Sequence, residues 1–309
     1  MRYGAHLPVL DFGTGVPFAL PDLQEYARSA ERLGYETLTV NDHHVFSRPW
    51  LDGLTALAVV LGETRDIRLG TSVALPVVRG PVALAKTLGA LDLLSGGRVT
   101  IGVGPGSSAR DYAAVGIDYE ERWQRLDEAI RVLRALLRGE DPPSGRFYSL
   151  DGLRLEPRPA RPGGPPIWIG SWGSAAGLRR VARLGDGWLA SGYNTTPAIF
   201  ATAWADLRAL LAAAGRPAED FPNAIATMWT FVSDDKQAAS HLLRDVLAPM
   251  LKRDPDDLAP FLMIGSAEDC AERLSSYAAA GAQRVFIWPL AHAVSQLSTF
   301  MERVVPLVE

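Results

Sequence analysis

The sequence has little of several features that mark specialised classes of protein. It holds one cysteine, Cys270, among 309 residues, which excludes an internal disulfide framework and a zinc site built on several cysteines. No apolar run approaches the length that a membrane span requires, and the N-terminal MRYGAHLPVL lacks the basic start and long apolar core of a secretion signal. We therefore expect a cytoplasmic protein.

An excess of charge of one sign is also lacking. The 31 basic and 35 acidic residues are interspersed and give a net charge of −4. Such a distribution has neither the footprint of a nucleic-acid partner nor a polybasic patch for a membrane surface. Small neutral or amphipathic molecules are therefore the expected ligands.

What the sequence does contain is a regular alternation of short β-rich runs with longer helical patterns. The predicted strands cover 2–7, 36–40, 67–73, 98–104, 166–170, 187–191, 224–232 and 284–290. The predicted helices cover 23–33, 54–61, 82–94, 122–137, 173–184, 198–213, 269–280 and 293–305. Eight strands that are each followed by a helix predict an α/β fold, a (β/α)8 TIM barrel, over residues 1–309 as one domain.

Two insertions interrupt this repeat, after the fourth and the seventh strand. Residues 139–165 are rich in Pro, Gly and Arg, and RFYSL and GLRLE within them are able to form a small hairpin. Residues 234–263 carry a helical stretch and then a polar segment broken by proline. We expect one or both insertions to lie over the strand ends.

The second strand ends in Asn-Asp-His-His, which places Asp42, His43 and His44 at the barrel mouth. Active sites of such barrels lie at the carboxyl ends of the strands, and His6 at the end of the first strand can join this group. An imidazole can exchange a proton near pH 7, and a neighbouring carboxylate can fix its tautomer. The alternative is that Asp-His only caps a turn. A metal site is a weaker interpretation, because no further ligands lie at suitable spacing.

Small residues follow the next strands. Ser72 and Val73 end the third strand, where a flat ligand can rest against backbone, or where small residues merely accommodate barrel curvature. Gly104, Gly106 and Ser107 follow the fourth strand and permit close approach of a ligand.

The fifth strand is followed by a glycine and serine loop that precedes a helix, formed by Gly170, Ser171, Trp172, Gly173 and Ser174. Helix N-termini attract anions, so this loop is a candidate phosphate site, and Ser174 can equally serve as a simple N-cap. Trp50, Trp229 and Trp288 also fall near strand ends. They are candidates for the substrate pocket together with His6 and His44, although a tryptophan there can equally belong to the core.

Together these segments resemble the bacterial luciferase-like monooxygenase superfamily. The resemblance is strongest from IRLGTSV through RGPVALAKTLGALDLLSGGRVTIGVGPG to YEERWQRLDEAIRVLRALLRGE, and it continues in PPIWIGSWGSAAGLRRVARLGDGWL. Members of this family are (β/α)8 barrels that use reduced FMN or the deazaflavin coenzyme F420, and they usually form dimers.

The resemblance implies roles for individual residues. His43 corresponds to the catalytic or proton-handling histidine, and Asp42 to a contact of the cofactor ring. GTSV is similar to the segment that forms a non-prolyl cis peptide under the ring, which places that bond at Ser72-Val73. The loop from Gly170 to Ser174 would hold the cofactor phosphate. One departure concerns Ser107 and its neighbour, which stand where related sugar-phosphate dehydrogenases carry a glutamate.

We therefore predict an oxidoreductase that transfers hydride between F420 and a small organic substrate. The first alternative is a two-component monooxygenase that receives reduced FMN from a separate reductase and reacts with oxygen. The second is a flavin-binding protein without catalysis. The helices around 81–95 and 120–138 are candidates for a homodimer interface.

Overall fold

The computed structural model describes residues 1–13 and 18–308 and contains a closed barrel of parallel strands. The strands are β1 (Arg2–His6), β2 (Thr37–Val40), β3 (Arg68–Thr71), β4 (Val99–Val103), β5 (Ile167–Gly170), β6 (Gly187–Ser191), β7 (Asn223–Val232), β8 (Met263–Gly265) and β9 (Arg284–Pro289). β1 to β6 pair in order, β6 pairs with β7, and β9 closes the ring between β7 and β1. The eight predicted strands form this ring, which confirms the predicted barrel.

Helices lie around the ring and over its mouth. They are α1 (Leu20–Arg32), α2 (Gly53–Leu61), α3 (Pro76–Arg79), α4 (Pro81–Leu94), α5 (Ala109–Ala114), α6 (Arg122–Arg138), α7 (Ala175–Leu184), α8 (Pro197–Ala213), α9 (Lys236–His241), α10 (Ala248–Leu251), α11 (Pro255–Leu258), α12 (Ala267–Ala279) and α13 (Ala293–Thr299). Short π-helical turns follow α9 at Leu242–Leu247 and α13 at Phe300–Val304. In the described part of the chain, no helix combines the length and apolar character needed to cross a bilayer.

Alternate residues of each strand face opposite sides, and this alternation separates two apolar regions. On β2, Leu38 and Val40 belong to the large cluster shared with the helices. Trp168, Leu189 and Phe286 belong to a small separate cluster inside the barrel. The barrel interior is therefore built from few large side chains.

The insertion at 139–165 differs from its expected form. The structure has no strand between α6 and β5, so the expectation of a hairpin there was wrong. Hydrogen bonds to the rest of the barrel domain hold this segment instead. Glu128 accepts hydrogen bonds from the amides of Arg146 and Phe147, and Arg161 donates to the Val99 carbonyl at 2.6 Å. Val99 begins β4, so this insertion reaches the amino end of the barrel.

The insertion at 234–263 lies over the carboxyl ends of the strands, as expected. It forms α9, α10, α11 and the short β8, which pairs with the end of β7. Apolar side chains of its π-helical turn, Leu242 and Leu247 among them, pack in one cluster with Trp229 and Trp288. This insertion therefore covers the barrel mouth.

Candidate active site

The turn after β2 brings His43 against Asp111, which lies in α5 after the fourth strand. His43 Nδ1 is 2.6 Å from Asp111 Oδ2. The other carboxylate oxygen accepts the amides of His44 and Val45, each at 2.8 Å. The His43 side chain keeps 12% of its surface exposed, whereas that of Asp111 keeps 1%. A buried carboxylate thus holds an imidazole that solvent still reaches.

Asp111 has the ionisation state that this arrangement needs. Its burial opposes ionisation, but the hydrogen bonds from His43 and from the amides of Val45 and His44 outweigh that effect and hold the pKa below its ordinary value. An ionised carboxylate accepts from Nδ1, so Nδ1 carries a hydrogen and Nε2 is the nitrogen available for proton exchange.

Asp42, which precedes His43, faces a different partner. Its two oxygens accept Arg79 Nε and Nη2 at 2.6 and 2.7 Å, and its side chain is buried. Arg79 also contacts Asp52, the N-cap of α2. The carboxylate that orients His43 is therefore not its sequence neighbour. A role for Asp42 in catalysis or against the cofactor ring stays a prediction.

Aromatic rings form a continuous group beside His43, which we call the mouth cluster: His6, Trp50, Trp229 and Trp288. Trp50 lies 4.7 Å from His43 and 5.7 Å from Trp288, measured between ring centroids. His6 stacks on Trp288 at 3.6 Å, and Trp229 lies 6.2 Å from Trp288. The structure thus brings together four of the five residues that sequence assigned to the substrate pocket.

The fifth, His44, has an exposed side chain, and its amide donates to Asp111. Its assignment to the substrate pocket stays a prediction. His6 is fully buried, and this burial lowers its pKa to about 3, which the Leu7 carbonyl and the adjacent Asn41 side chain offset in part. His6 is therefore neutral at physiological pH.

Polar atoms of the mouth cluster lack partners. Among the described residues, no acceptor reaches the buried indole N–H groups of Trp50, Trp229 and Trp288. The buried hydroxyl of Ser72, outside the cluster, has no hydrogen-bond partner there either. Buried donors in native proteins are usually satisfied. These atoms fit a site whose ligand supplies acceptors, such as the carbonyl groups of a flavin-type ring and an oxygen of a substrate.

The Ser72-Val73 peptide bond is cis, which confirms the prediction made from GTSV. The Val73 side chain lies against two glycines of neighbouring strands. A Cβ at Gly104 would stand 2.8 Å from Val73 Cγ2, and one at Gly170 would stand 3.1 Å from Val73 Cγ1. These two glycines therefore make room for Val73, a contact that the sequence did not reveal.

The remaining predicted cofactor residues lie in loops after β4 and β5. Gly106 has a positive φ of 76° and packs against Leu75, and Ser107 is exposed. Ser171 is buried and its hydroxyl accepts the Gly173 amide at 3.3 Å.

Ser174 caps α7 by accepting the Gly177 amide at 3.2 Å, as one of the two interpretations predicted. Trp172 is 59% exposed, which is unusual for an indole. Binding of a phosphate by this loop stays a prediction.

Sequence reasoning missed several residues of the site. Asp111 lies 68 positions from His43, and its sequence context GSSARDYAAV resembles an ordinary helix start. Arg79 gave no signal either, because arginines are common at helix ends. Tyr193, which stacks on Trp229 at 4.7 Å, and Phe46, at 4.8 Å from His43, were overlooked because both lie in loops without a pattern.

Comparison with known proteins agrees with this geometry. The family described as luciferase-like monooxygenase matches residues 4–251. The chain belongs to this family. The match spans the strands that carry His43, the cis peptide and the loop of Ser171.

Curated relatives of this luciferase-like chain include enzymes that use F420. An F420-dependent hydroxymycolic acid dehydrogenase of Mycobacterium tuberculosis is 33% identical over 233 residues, which are 72% of this chain and 62% of that protein. A 5,10-methylenetetrahydromethanopterin reductase of Archaeoglobus fulgidus is 31% identical over 235 residues, 76% of this chain and 67% of the reductase. An F420-dependent glucose-6-phosphate dehydrogenase of Amycolatopsis mediterranei is 32% identical over 56% of this chain and 54% of its own length. The chain therefore spans between half and two thirds of these relatives.

Solved structures of the same fold also match the luciferase-like chain. An F420-dependent secondary alcohol dehydrogenase in complex with an F420-acetone adduct superposes with a TM-score of 0.85, at 19% identity, over 100% of this chain and 99% of that one. A monooxygenase from Streptomyces bottropensis superposes with a TM-score of 0.84, at 21% identity, over 99% of both chains. At these identities the likeness concerns the fold.

Proposed function

We propose that this protein is an F420-dependent oxidoreductase that transfers hydride to or from a small organic substrate. The observation that carries the proposal is the His43–Asp111 pair, a proton-exchanging group held by a buried carboxylate at the barrel mouth. Relatives at 31 to 33% identity over 72 to 76% of the chain, one of them named as F420-dependent, support the choice of cofactor.

His43, Asp111 and Asp42 would have different roles in such a reaction. When bound, the deazaflavin ring supplies the hydride acceptor or donor. His43 Nε2 takes up the proton that leaves a substrate hydroxyl, or returns it to a carbonyl in the reverse direction. Asp111 stabilises the imidazolium that forms. Asp42 is also proposed to contact the cofactor ring, while Arg79 donates to both of its carboxylate oxygens.

The other predicted residues serve binding. Ser72 and Val73 form the support for the ring, Gly104 makes room for the Val73 side chain, and Gly106 keeps its predicted place beside the cofactor. Ser107 and the loop from Gly170 to Ser174 bind the polar tail, for which the amides that begin α7 are suited. The mouth cluster and the insertion over it receive the substrate and exclude water.

A two-component monooxygenase is the second candidate. It is favoured by a 4-hydroxyprotoasukamycin monooxygenase of Streptomyces nodosus that is 34% identical over 205 residues, 64% of this chain and 54% of that protein. In this case FMN replaces F420, a separate reductase supplies the reduced cofactor, and His43 acts as the acid or base of an oxygenation.

Titration of the purified chain with F420 and with FMN, followed by absorbance and fluorescence, distinguishes the two. We expect the tighter binding for F420 and no oxygen uptake with reduced FMN. Tighter binding of FMN together with oxygen consumption would replace the first candidate by the second. Cofactor binding without turnover of any alcohol or ketone in a broad panel would favour the flavin-binding protein without catalysis.

His43→Ala tests the catalytic assignment. With F420 and a panel of secondary alcohols that begins with 2-propanol, we expect turnover to fall about 100-fold or more while F420 affinity changes little. His241→Ala is the matched control, because His241 is exposed on α9 and pairs with Asp245 at the surface. Equal turnover of the two variants would remove His43 from the reaction.

The homodimer predicted from the resemblance is also proposed here. Leu94 on α4 and Trp123 on α6, within the two candidate helices, are 72% and 41% exposed, as residues of an interface would be in a single chain. Light scattering of the purified protein tests this. A mass of one chain at micromolar concentration would contradict it.

A further inference from the structure

The interior of the barrel is unusually open near its amino end. Large branched side chains normally fill the layers inside a (β/α)8 barrel. Here Gly4, Gly70 and Gly102 occupy inward positions on β1, β3 and β4. The Phe286 ring fills the place of a side chain at Gly4, and Leu189 fills that at Gly102. The side of the barrel at Gly70 has no such large side chain against it.

A cavity of about 230 Å³ lies at this place. The nearest atoms to a Cβ at Gly70 would be the Thr100 carbonyl at 3.2 Å and the methyl groups of Thr37 and Thr39 at 3.6 and 3.7 Å. Threonines thus form one wall of the cavity. The opposite wall is apolar and is formed by Trp168, Leu189 and Phe286.

One hydroxyl in the threonine wall lacks a partner. Thr39 is 1% exposed, and among the residues that the structure describes its buried Oγ1 has no hydrogen-bond partner. The neighbouring Thr71, by contrast, donates to the Gly102 carbonyl at 2.7 Å. A buried hydroxyl without a partner is rare in native proteins, and Thr39 lines the cavity, so a ligand that brings a polar group to this wall would satisfy it.

The acidic residues at the cavity entrance are already neutralised. Glu36 accepts Arg2 at 2.7 Å and Arg284 at 2.8 Å. Asp186 accepts Arg134 at 2.8 Å. Neither carboxylate therefore leaves an uncompensated negative charge that would repel an anion.

Arg68 supplies the free positive charge at the same entrance. It lines the cavity, it is exposed, and no acidic partner within the described residues reaches it. Its guanidinium is suited to a carboxylate, which it can bind through two parallel hydrogen bonds.

We propose that this cavity binds a small aromatic hydroxycarboxylate. The carboxylate meets Arg68 at the entrance, the ring lies against Trp168 and Phe286, and the hydroxyl at the far end bonds to Thr39. The size agrees with this class, since a cavity of roughly 150 Å³ accommodates benzene and this one is larger. The site lies at the opposite end of the barrel from the mouth cluster, so it is separate from the proposed active site.

Isothermal titration of the purified chain with 4-hydroxybenzoate tests the proposal, with benzoate, 4-hydroxybenzyl alcohol and sulfate as comparison ligands. We expect 4-hydroxybenzoate to bind more tightly than all three. Arg68→Gln should weaken its binding at least tenfold, whereas Arg65→Gln, a change at a nearby exposed arginine outside the cavity, should have no effect. Thr39→Val should weaken 4-hydroxybenzoate severalfold and leave benzoate unchanged.

A crystal grown with 3-bromo-4-hydroxybenzoate locates the ligand by the anomalous signal of bromine. Bromine inside the barrel beside Gly70 is the expected result. Absence of binding at millimolar concentration, equal affinity of wild type and Arg68→Gln, or ordered water alone in the cavity would each overturn the proposal. Because Arg68 is exposed, its replacement does not put folding at risk, and the test stands even if Thr39→Val fails to fold.

Discussion

Asp111 holds the turn after β2 through both of its carboxylate oxygens. One bonds to His43 Nδ1 at 2.6 Å, and the other accepts the next two amides of the same turn. A single buried carboxylate thereby fixes the ring orientation of His43 and the backbone that carries it. The geometry is that of a base and its orienting carboxylate, in which the second residue acts through the first.

Asp111→Asn should therefore lower turnover without a comparable loss of F420 affinity. The amide can still accept from the backbone, but it no longer stabilises an imidazolium at His43, so we expect kcat to fall about 100-fold or more. Steady-state kinetics across pH 5 to 9 and F420 titration measure the two effects. Asp245→Asn is the matched control, since Asp245 makes the same bond to His241 at 2.8 Å on the surface. A change confined to thermal stability would show that Asp111 only supports the fold.

Features that depend on contiguous sequence could be predicted, whereas contacts between distant segments could not. The barrel could be predicted because short β-rich runs alternate with segments in which apolar residues recur at helical spacing. The cis peptide could be predicted because the contiguous segment GTSV resembles the family segment that carries such a bond. The Asp111–His43 pair could not, since it depends on how two loops 68 residues apart are brought together.

The same reason explains the form of the first insertion. Residues 139–165 contain β-forming stretches, yet contacts to Glu128 and Asp92 replace strand pairing there. Propensity for a strand is overridden when tertiary contacts satisfy the backbone in another way. Sequence predicts cofactor binding for the glycines after β4 and β5 but not the contact of Gly104 and Gly170 with Val73, which arises only when three strands lie side by side.

Gly104→Ala tests the packing of Val73. The added methyl would stand 2.8 Å from Val73 Cγ2. Overpacking of this kind costs about 1 to 3 kcal/mol in the free energy of unfolding, and displacement of Val73 should also weaken F420 binding. Urea denaturation and F420 titration measure both.

Val73→Ala in the same chain should restore much of the stability and affinity, because it removes the methyl groups that clash. Gly62→Ala is the control, since a Cβ at Gly62 meets nothing within 4 Å. If the double variant were as impaired as Gly104→Ala alone, contact with Val73 would not be the cause.

Arg79→Met should destabilise the protein strongly, because it leaves the buried Asp42 carboxylate without its partner. Breaking a buried ion pair from one side costs about 3 to 5 kcal/mol. The double variant Asp42→Asn, Arg79→Met should lose less than Arg79→Met alone, since it buries no charge. Chemical denaturation measures all three chains.

An exposed pair provides the reference for this comparison. Arg154 and Asp141 are both more than half exposed, so Arg154→Met should change stability little. Asp42→Asn also separates the two roles of Asp42. A loss of turnover at unchanged stability would support the predicted catalytic role, whereas a loss of stability at unchanged turnover would assign Asp42 to the ion pair.

His6 should make folding sensitive to acid. Its pKa is about 3 in the folded protein because of burial, against an ordinary value of 6.5, so the unfolded chain binds the proton first as the pH falls. Stability from this group is therefore complete above pH 6.5 and decreases toward pH 3. Between pH 7 and pH 5 the contribution of His6 to the free energy of unfolding falls by about 2 kcal/mol.

His6→Phe keeps a ring against Trp288 and removes the titrating group, so the variant should lose about 2 kcal/mol less free energy of unfolding than the wild type over this interval. Parallel denaturation curves at the two pH values measure the difference, and equal losses in both proteins would mean that His6 is protonated within the fold.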